Sequence, residues 1–127
     1  GGEEGEEEGE EGGGVEGEEG IETLQLTLRQ LPVASSIGGK LWDASMLFAA
    51  WAAEHRALFP HPHGCGGRTP RILELGAGLG VAGLAVARLL PSARVTLSDY
   101  DPAVLRCLEQ NVNLNFAPTD KATHTAA

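Results

Sequence analysis

Hydrophobic and polar residues alternate near the start of the chain: Leu24, Leu26 and Leu28 are separated by Gln25 and Thr27, with Arg29 next. A period of two predicts a half-buried strand over Ile21–Leu31, stopped by Pro32. Val33–Lys40 has no period. Ser35, Ser36, Gly38 and Gly39 mark it as a small-residue connector. From Asp43 the spacing becomes helical, because Met46, Leu47, Ala50, Trp51 and Leu58 fall on one face. This predicts a helix from about Asp43 to Leu58, with Asp43 favourable at its N-terminal end. Trp51 reads as part of the core. Prolines and glycines from Pro60 to Pro70 predict a loop. Arg71–Leu75 then reads as a short buried strand, Gly76–Gly80 as a glycine turn, and Val81–Leu90 as a helix. Ala93–Ser98 reads as a second buried strand. Asp101 followed by Pro102 is a strong helix start, since Asp caps and Pro suits the first turn. Val104, Leu105, Leu108 and Val112 carry that helix to about Asn113, with Cys107 as a small buried hydrophobe within it. From Ala117 the periodicity ends and a loose C-terminal end is expected.

Strand, helix, strand, helix with short connections implies a parallel pair joined by a crossover, hence an α/β fold. Parallel strands are normally covered on both faces within larger sheets.

Charge separates the first twenty residues from the rest. They hold ten Glu, nine Gly and Val15 with no basic residue, which is −10 against −9 for the whole chain, so residues 21–127 carry +1. Such a tract buries too little apolar surface to offset the entropy of ordering it and is expected to be disordered. The near-neutral remainder has no basic footprint for nucleic acid. No run of about 18 apolar residues predicts a membrane span. The N-terminus is acidic where a leader would be basic, and two cysteines are too few for a disulfide framework. A cytoplasmic or nuclear setting is expected. The single Met is Met46 and residue 1 is Gly, which reads as a fragment or a processed product. His61, His63 and Cys65 are metal-ligating types, but on a loose loop with no fourth ligand, and no metal is expected.

The chemistry concentrates at Glu74-Leu75-Gly76-Ala77-Gly78-Leu79-Gly80. Glycines at a strand-to-helix turn allow a tight bend and close approach of a ligand. The helix that follows offers free N–H groups to an anionic group. Gly78, Gly80 and Gly83 match the bare dinucleotide fingerprint, so an NAD(P)-binding module is one reading. Glu74 argues against it, because a carboxylate beside a pyrophosphate is repulsive. S-adenosylmethionine carries a sulfonium and an ammonium group and no phosphate, so the same carboxylate favours it. Asp99 follows 25 residues after Glu74, at the end of the next strand, where it can accept from both ribose hydroxyls. Asp101 is assigned to the helix cap.

Leu41-Trp42-Asp43-Ala44, Leu73 to Leu84, Val95 to Asp99, and Leu105 to Asn115 together resemble the seven-strand protein methyltransferases of family 16. The resemblance spans about residues 24–116. It implies a Rossmann-like, doubly wound parallel sheet of the class I methyltransferase type, truncated after the second core strand and helix. It implies S-adenosylmethionine as cofactor and a lysine of a protein substrate, such as a translation factor or chaperone, as acceptor. By position, Gly76, Gly78 and Gly80 would line the methionine half of the cofactor, Glu74 would face that half, Asp99 would hold the ribose, and Trp42 would sit against the pocket. The family's acidic/aromatic motif after the fourth strand has no counterpart, and the one Tyr is Tyr100. The expected organisation is a tail at 1–20, the N-terminal half of a methyltransferase domain at 21–116, and a loose end at 117–127. The expected function is the cofactor-binding portion of a protein-lysine methyltransferase lacking its substrate-binding part. The catalytic residues are not assigned. The remaining alternative is a non-catalytic interaction fragment.

Overall fold

The computed structural model describes Gly1 and residues 23–32, 36–117 and 124–127. The acidic tract, expected to be disordered, falls outside the described residues apart from Gly1. Three helices, α1 (Asp43–Glu54), α2 (Val81–Leu89) and α3 (Pro102–Asn115), combine with strands β1 (Arg71–Glu74), β2 (Arg94–Leu97) and β3 (His124–Ala126). The strands are parallel in the order β1-β2-β3, with Ile72 opposite Val95 and Thr96 opposite Thr125. Parallel strands joined through helices make the chain α/β and Rossmann-like. β3 adds a third short strand at His124–Ala126, within the stretch where a loose end was expected and after the second strand and helix. At three residues it is too short for a period to show in the sequence.

The core forms where Val95 and Leu97 of β2 meet Leu84 and Val86 of α2 and Leu108 and Val112 of α3. Leu84 and Leu108 are fully buried. Asp101 caps α3 by accepting from Ala103 N–H at 2.8 Å, with Pro102 as first helical residue. The missing proline donor costs nothing in a first turn. Cys107 is buried, as its helical position required.

Three expectations are corrected by packing. β1 is not buried: Leu73 and Leu75 are 61% and 77% exposed. It lies at the edge of the described sheet and has a partner on one side alone. α1 ends at Glu54 and a 3-10 turn covers Arg56–Leu58. Its expected inward face is largely exposed at Met46, Leu47 and Trp51, as is Leu58 in the turn, and the residue it buries is Ala52. A small side chain there fits the contact of α1 with α2. Trp51 instead stacks on His55 at 4.9 Å and meets Phe48 and Phe59 edgewise or tilted.

The N-terminal segment alternates in burial as predicted, with Leu24, Leu26 and Leu28 turned inward, yet it is not assigned to a strand. The backbone of Thr27 and Arg29 is bonded instead by side chains of α3. Asn115 Oδ1 accepts from Thr27 N–H at 2.9 Å and Nδ2 donates to Thr27 O at 2.7 Å. Asn111 does the same to Arg29, at 2.6 and 3.1 Å. Residues i and i+4 of a helix rise about 6 Å, and i and i+2 of an extended chain about 6.6 Å. Two carboxamides one turn apart can therefore grip two alternate residues of the segment.

Candidate functional site

The turn between β1 and α2 opens into a cleft of about 320 Å³. Trp42, Glu74, Gly76, Gly78, Gly80 and Asp99, the six residues singled out from the sequence, all line it. Elements far apart in the chain bring them together. Asp99 follows the end of β2, where its Oδ2 accepts from Gly78 N–H at 3.0 Å and its Oδ1 from Asp101 N–H at 3.1 Å. This holds the glycine turn against the neighbouring strand. Each carboxylate oxygen keeps a lone pair for a further donor.

Two glycines adopt conformations that side chains resist. Gly76 has φ +64° and Gly78 φ +56°. A Cβ on Gly78 would lie 3.0 Å from Gly38 O across the cleft, whereas one on Gly76 would meet nothing within 4 Å. Gly76 thus opens onto free space that a ligand can enter, and Gly78 lets the two walls approach. Gly83, in the first turn of α2, makes room of another kind: a Cβ there would fall 2.5 Å from Glu74 Oε2 and 1.9 Å from Leu97 Cδ2.

Glu74 stands at the end of β1. Its Oε2 is buried and accepts no hydrogen bond. Burial pushes its carboxyl above the usual range, opposed by the nearby Gly83 amide. A buried acceptor without a partner is costly; Oε2 lies on the side of Gly83 and Leu97, which do not line the cleft, so a cation in the cleft would act on the Glu74 carboxylate through its charge.

The opposite wall is the connector after Pro32, whose role the sequence did not reveal. Ser36, Ile37, Gly38 and Lys40 line the cleft with Leu41 and Trp42. Trp42 Nε1 donates to Ile37 O at 3.1 Å, and Lys40 Nζ lies 4.9 Å above the indole ring. The ring precedes Asp43, the first residue of α1. The signal for this wall was its run of small residues directly before Trp42. Tyr100 reaches the rim and is 95% exposed. His61 and His63 lie away from the cleft, with rings 6.3 Å apart, and His61 Nδ1 accepts from Gly64 N–H. Among the described residues no group of three His, Cys, Asp or Glu side chains is placed to hold a metal ion.

The cleft chemistry is two carboxylates with spare acceptor capacity, an open glycine turn and a helix N-terminus. That set fits a ligand with a cationic group and a diol better than one with a pyrophosphate. A family model described as lysine methyltransferase matches residues 21–126. The chain belongs to the lysine methyltransferase family. The family's methyl donor is S-adenosylmethionine. Human protein-lysine N-methyltransferase EEF2KMT is 39% identical over 74 residues, which are 58% of this chain and 20% of that protein. A putative uncharacterized protein of Dictyostelium discoideum is 30% identical over 95 residues, 75% of this chain and 24% of its own. The Arabidopsis thaliana calmodulin-lysine N-methyltransferase is 38% identical over 48 residues, 38% of this chain and 16% of that enzyme. The chain therefore spans about a fifth of the human relative. No helix among the described residues is long and apolar enough to cross a membrane.

Proposed function

We propose that this chain forms the S-adenosylmethionine-binding part of a protein-lysine methyltransferase. The observation that carries the reading is Glu74, whose Oε2 is buried without a partner, in the wall of a cleft that also holds Asp99. S-adenosylmethionine supplies an electrophilic methyl group on a sulfonium. Glu74 would offset the positive charge of the cofactor's methionine half, and Asp99 would accept from its ribose hydroxyls. Gly76 and Gly78 would leave room for it along the turn, beside Gly80. The N-terminus of α2, which borders the cleft through Gly80 and Val81, would serve the cofactor carboxylate. Trp42 would close the other side. The acceptor would be a lysine amine of a protein, presented by parts of a longer polypeptide. The exposed Leu73 of β1 and Leu75 just after it would be covered by further elements on that face of a doubly wound sheet, which would continue beyond the edge strand β1.

Titration calorimetry of the chain with S-adenosylmethionine, S-adenosylhomocysteine and NAD tests the reading. Binding of the first two and none of NAD is expected. Tight NAD binding with no response to either adenosyl ligand would overturn it.

A further inference from the structure

Asn111 bonds one wall of the cleft directly and reaches the other through the N-terminal segment. It is fully buried in α3, and every hydrogen-bonding group of its carboxamide is engaged. Oδ1 accepts from Arg29 N–H at 2.6 Å. Nδ2 donates to Arg29 O at 3.1 Å and to Leu79 O at 2.9 Å. Leu79 belongs to the glycine turn, which is one wall. Arg29 belongs to the N-terminal segment, which is tied in turn to the other wall. Leu31 N–H donates to Gly39 O at 3.0 Å, and Leu41 N–H to Gln30 Oε1 at 3.1 Å. A hydrogen-bonded path thus runs from Leu79 through Asn111 to the segment, and on to Gly39 and Leu41 beside Trp42.

Asn115 supplies the contrast. It grips Thr27 in the same two-bond manner, and its third bond goes to Asn111 O within the helix. It contacts neither cleft wall. A role confined to fastening the segment would make the two asparagines equivalent, whereas a role in the cleft would set Asn111 apart.

We propose that Asn111 is a positioning residue that sets the separation between the Ser36–Trp42 wall and the Gly76–Gly80 turn, and through it the affinity for the cofactor. The link to affinity rests on the cofactor reading above; the link between the walls does not. Leucine in place of Asn111 keeps the volume and removes all three bonds. Leu79 O and Arg29 N–H then lose these bonds, Arg29 O keeps the one from Cys107 Sγ, and the walls are free to separate.

The test uses the full 127-residue chain. Asn111→Leu, Asn115→Leu and Arg29→Pro are compared with the wild type. Arg29→Pro removes the N–H bonded to Asn111 Oδ1 from a segment already extended, without entering the core, and decides the matter should Asn111→Leu not fold. Amide exchange is followed without ligand at Leu31 and Leu41, whose N–H groups make the two bonds between the segment and the connector wall, with Val95 and Leu97 of β2 as the internal reference. S-adenosylhomocysteine affinity is measured in parallel by calorimetry. For Asn111→Leu and Arg29→Pro, exchange at Leu31 and Leu41 rises about tenfold, the β2 amides keep wild-type rates, and affinity falls about tenfold. Asn115→Leu leaves cleft exchange and affinity at wild-type values. The proposal is overturned by equal effects of Asn111→Leu and Asn115→Leu, by loss of protection spread evenly over the chain, or by unchanged cleft exchange. A wild type that binds no S-adenosylhomocysteine sinks the cofactor reading instead, while the exchange pattern still decides whether Asn111 joins the walls.

Discussion

Alanine at Gly76 and at Gly78 would impose nearly the same backbone strain in different surroundings. Both residues sit in the left-handed region, at +64° and +56°. A side chain there costs about 1–2 kcal/mol. Loss of unfolded-state freedom returns roughly 0.4–1 kcal/mol to either variant, so this term cancels between them. The Cβ at Gly76 meets nothing within 4 Å, which leaves the net strain of about 1 kcal/mol. At Gly78 the Cβ comes to 3.0 Å from Gly38 O, a backbone atom that moves only if the connector wall moves with it. Overpacking of that kind adds about 1 kcal/mol or more. For a domain of this size 1 kcal/mol is roughly 4–8 °C in Tm, so Gly76→Ala should lose about 5 °C and Gly78→Ala about 10 °C or more. Thermal melts followed by circular dichroism read the stability, and calorimetry with S-adenosylhomocysteine reads the cleft. Gly76→Ala should lose more affinity than its stability loss explains, because its methyl group enters the space left for the ligand. Equal melting shifts for the two variants, or wild-type affinity in Gly76→Ala, would refute the steric account of the turn.

Four further outcomes follow from the carboxylates. Asp99→Ala leaves the Gly78 and Asp101 N–H groups without acceptors, so it should lower stability by about 1–3 kcal/mol in denaturant melts and eliminate cofactor binding; retained affinity would place the ribose elsewhere. Burial raises the Glu74 pKa above 4.5 in the folded chain, so the native state holds its proton after the unfolded state has released it. Stability should fall as pH rises from about 4.5 through the folded pKa, and Glu74→Gln should remove that slope. A cationic ligand favours ionised Glu74, so calorimetry of the wild type in buffers of different ionisation enthalpy, at a pH within the range where that stability slope is seen, should show proton release on binding, and Glu74→Gln should show none. Asp101 has the opposite sign: the Ser36 hydroxyl first, then the Ala103 N–H, lower its pKa below 3.8. The stability it contributes is present at neutral pH and lost as pH falls through its folded pKa, so Asp101→Ala should lower Tm at pH 7 and converge with the wild type in acid.

Elements whose signal is local were readable in the chain. The glycine turn, the Asp101-Pro102 helix start and the alternating leucines each depend on residues within a few positions of one another. Glu74 and Asp99 could be paired because both follow strands whose apolar runs are visible. The corrected features depend on neighbours that are distant in sequence. α1 looks amphipathic, but which side it buries is set by the core that it joins through Ala52. β1 looks like a core strand, but its exposure is set by what packs on each face of the sheet, and the face that carries Leu73 is uncovered. β3 is a short segment recruited by the edge of β2.

Sequence alone thus determined an α/β order of elements and a set of acids and glycines suited to a cationic, diol-bearing ligand. The reason is that turn geometry, capping and charge act over short stretches of chain. The tertiary structure decided the rest: that the connector before Trp42 is the second wall, that Gly83 leaves space for the Glu74 carboxylate, and that Asn111 links the walls. Each of these is a contact between residues at least nine positions apart in the chain, and no local pattern specifies such a contact before the chain has folded.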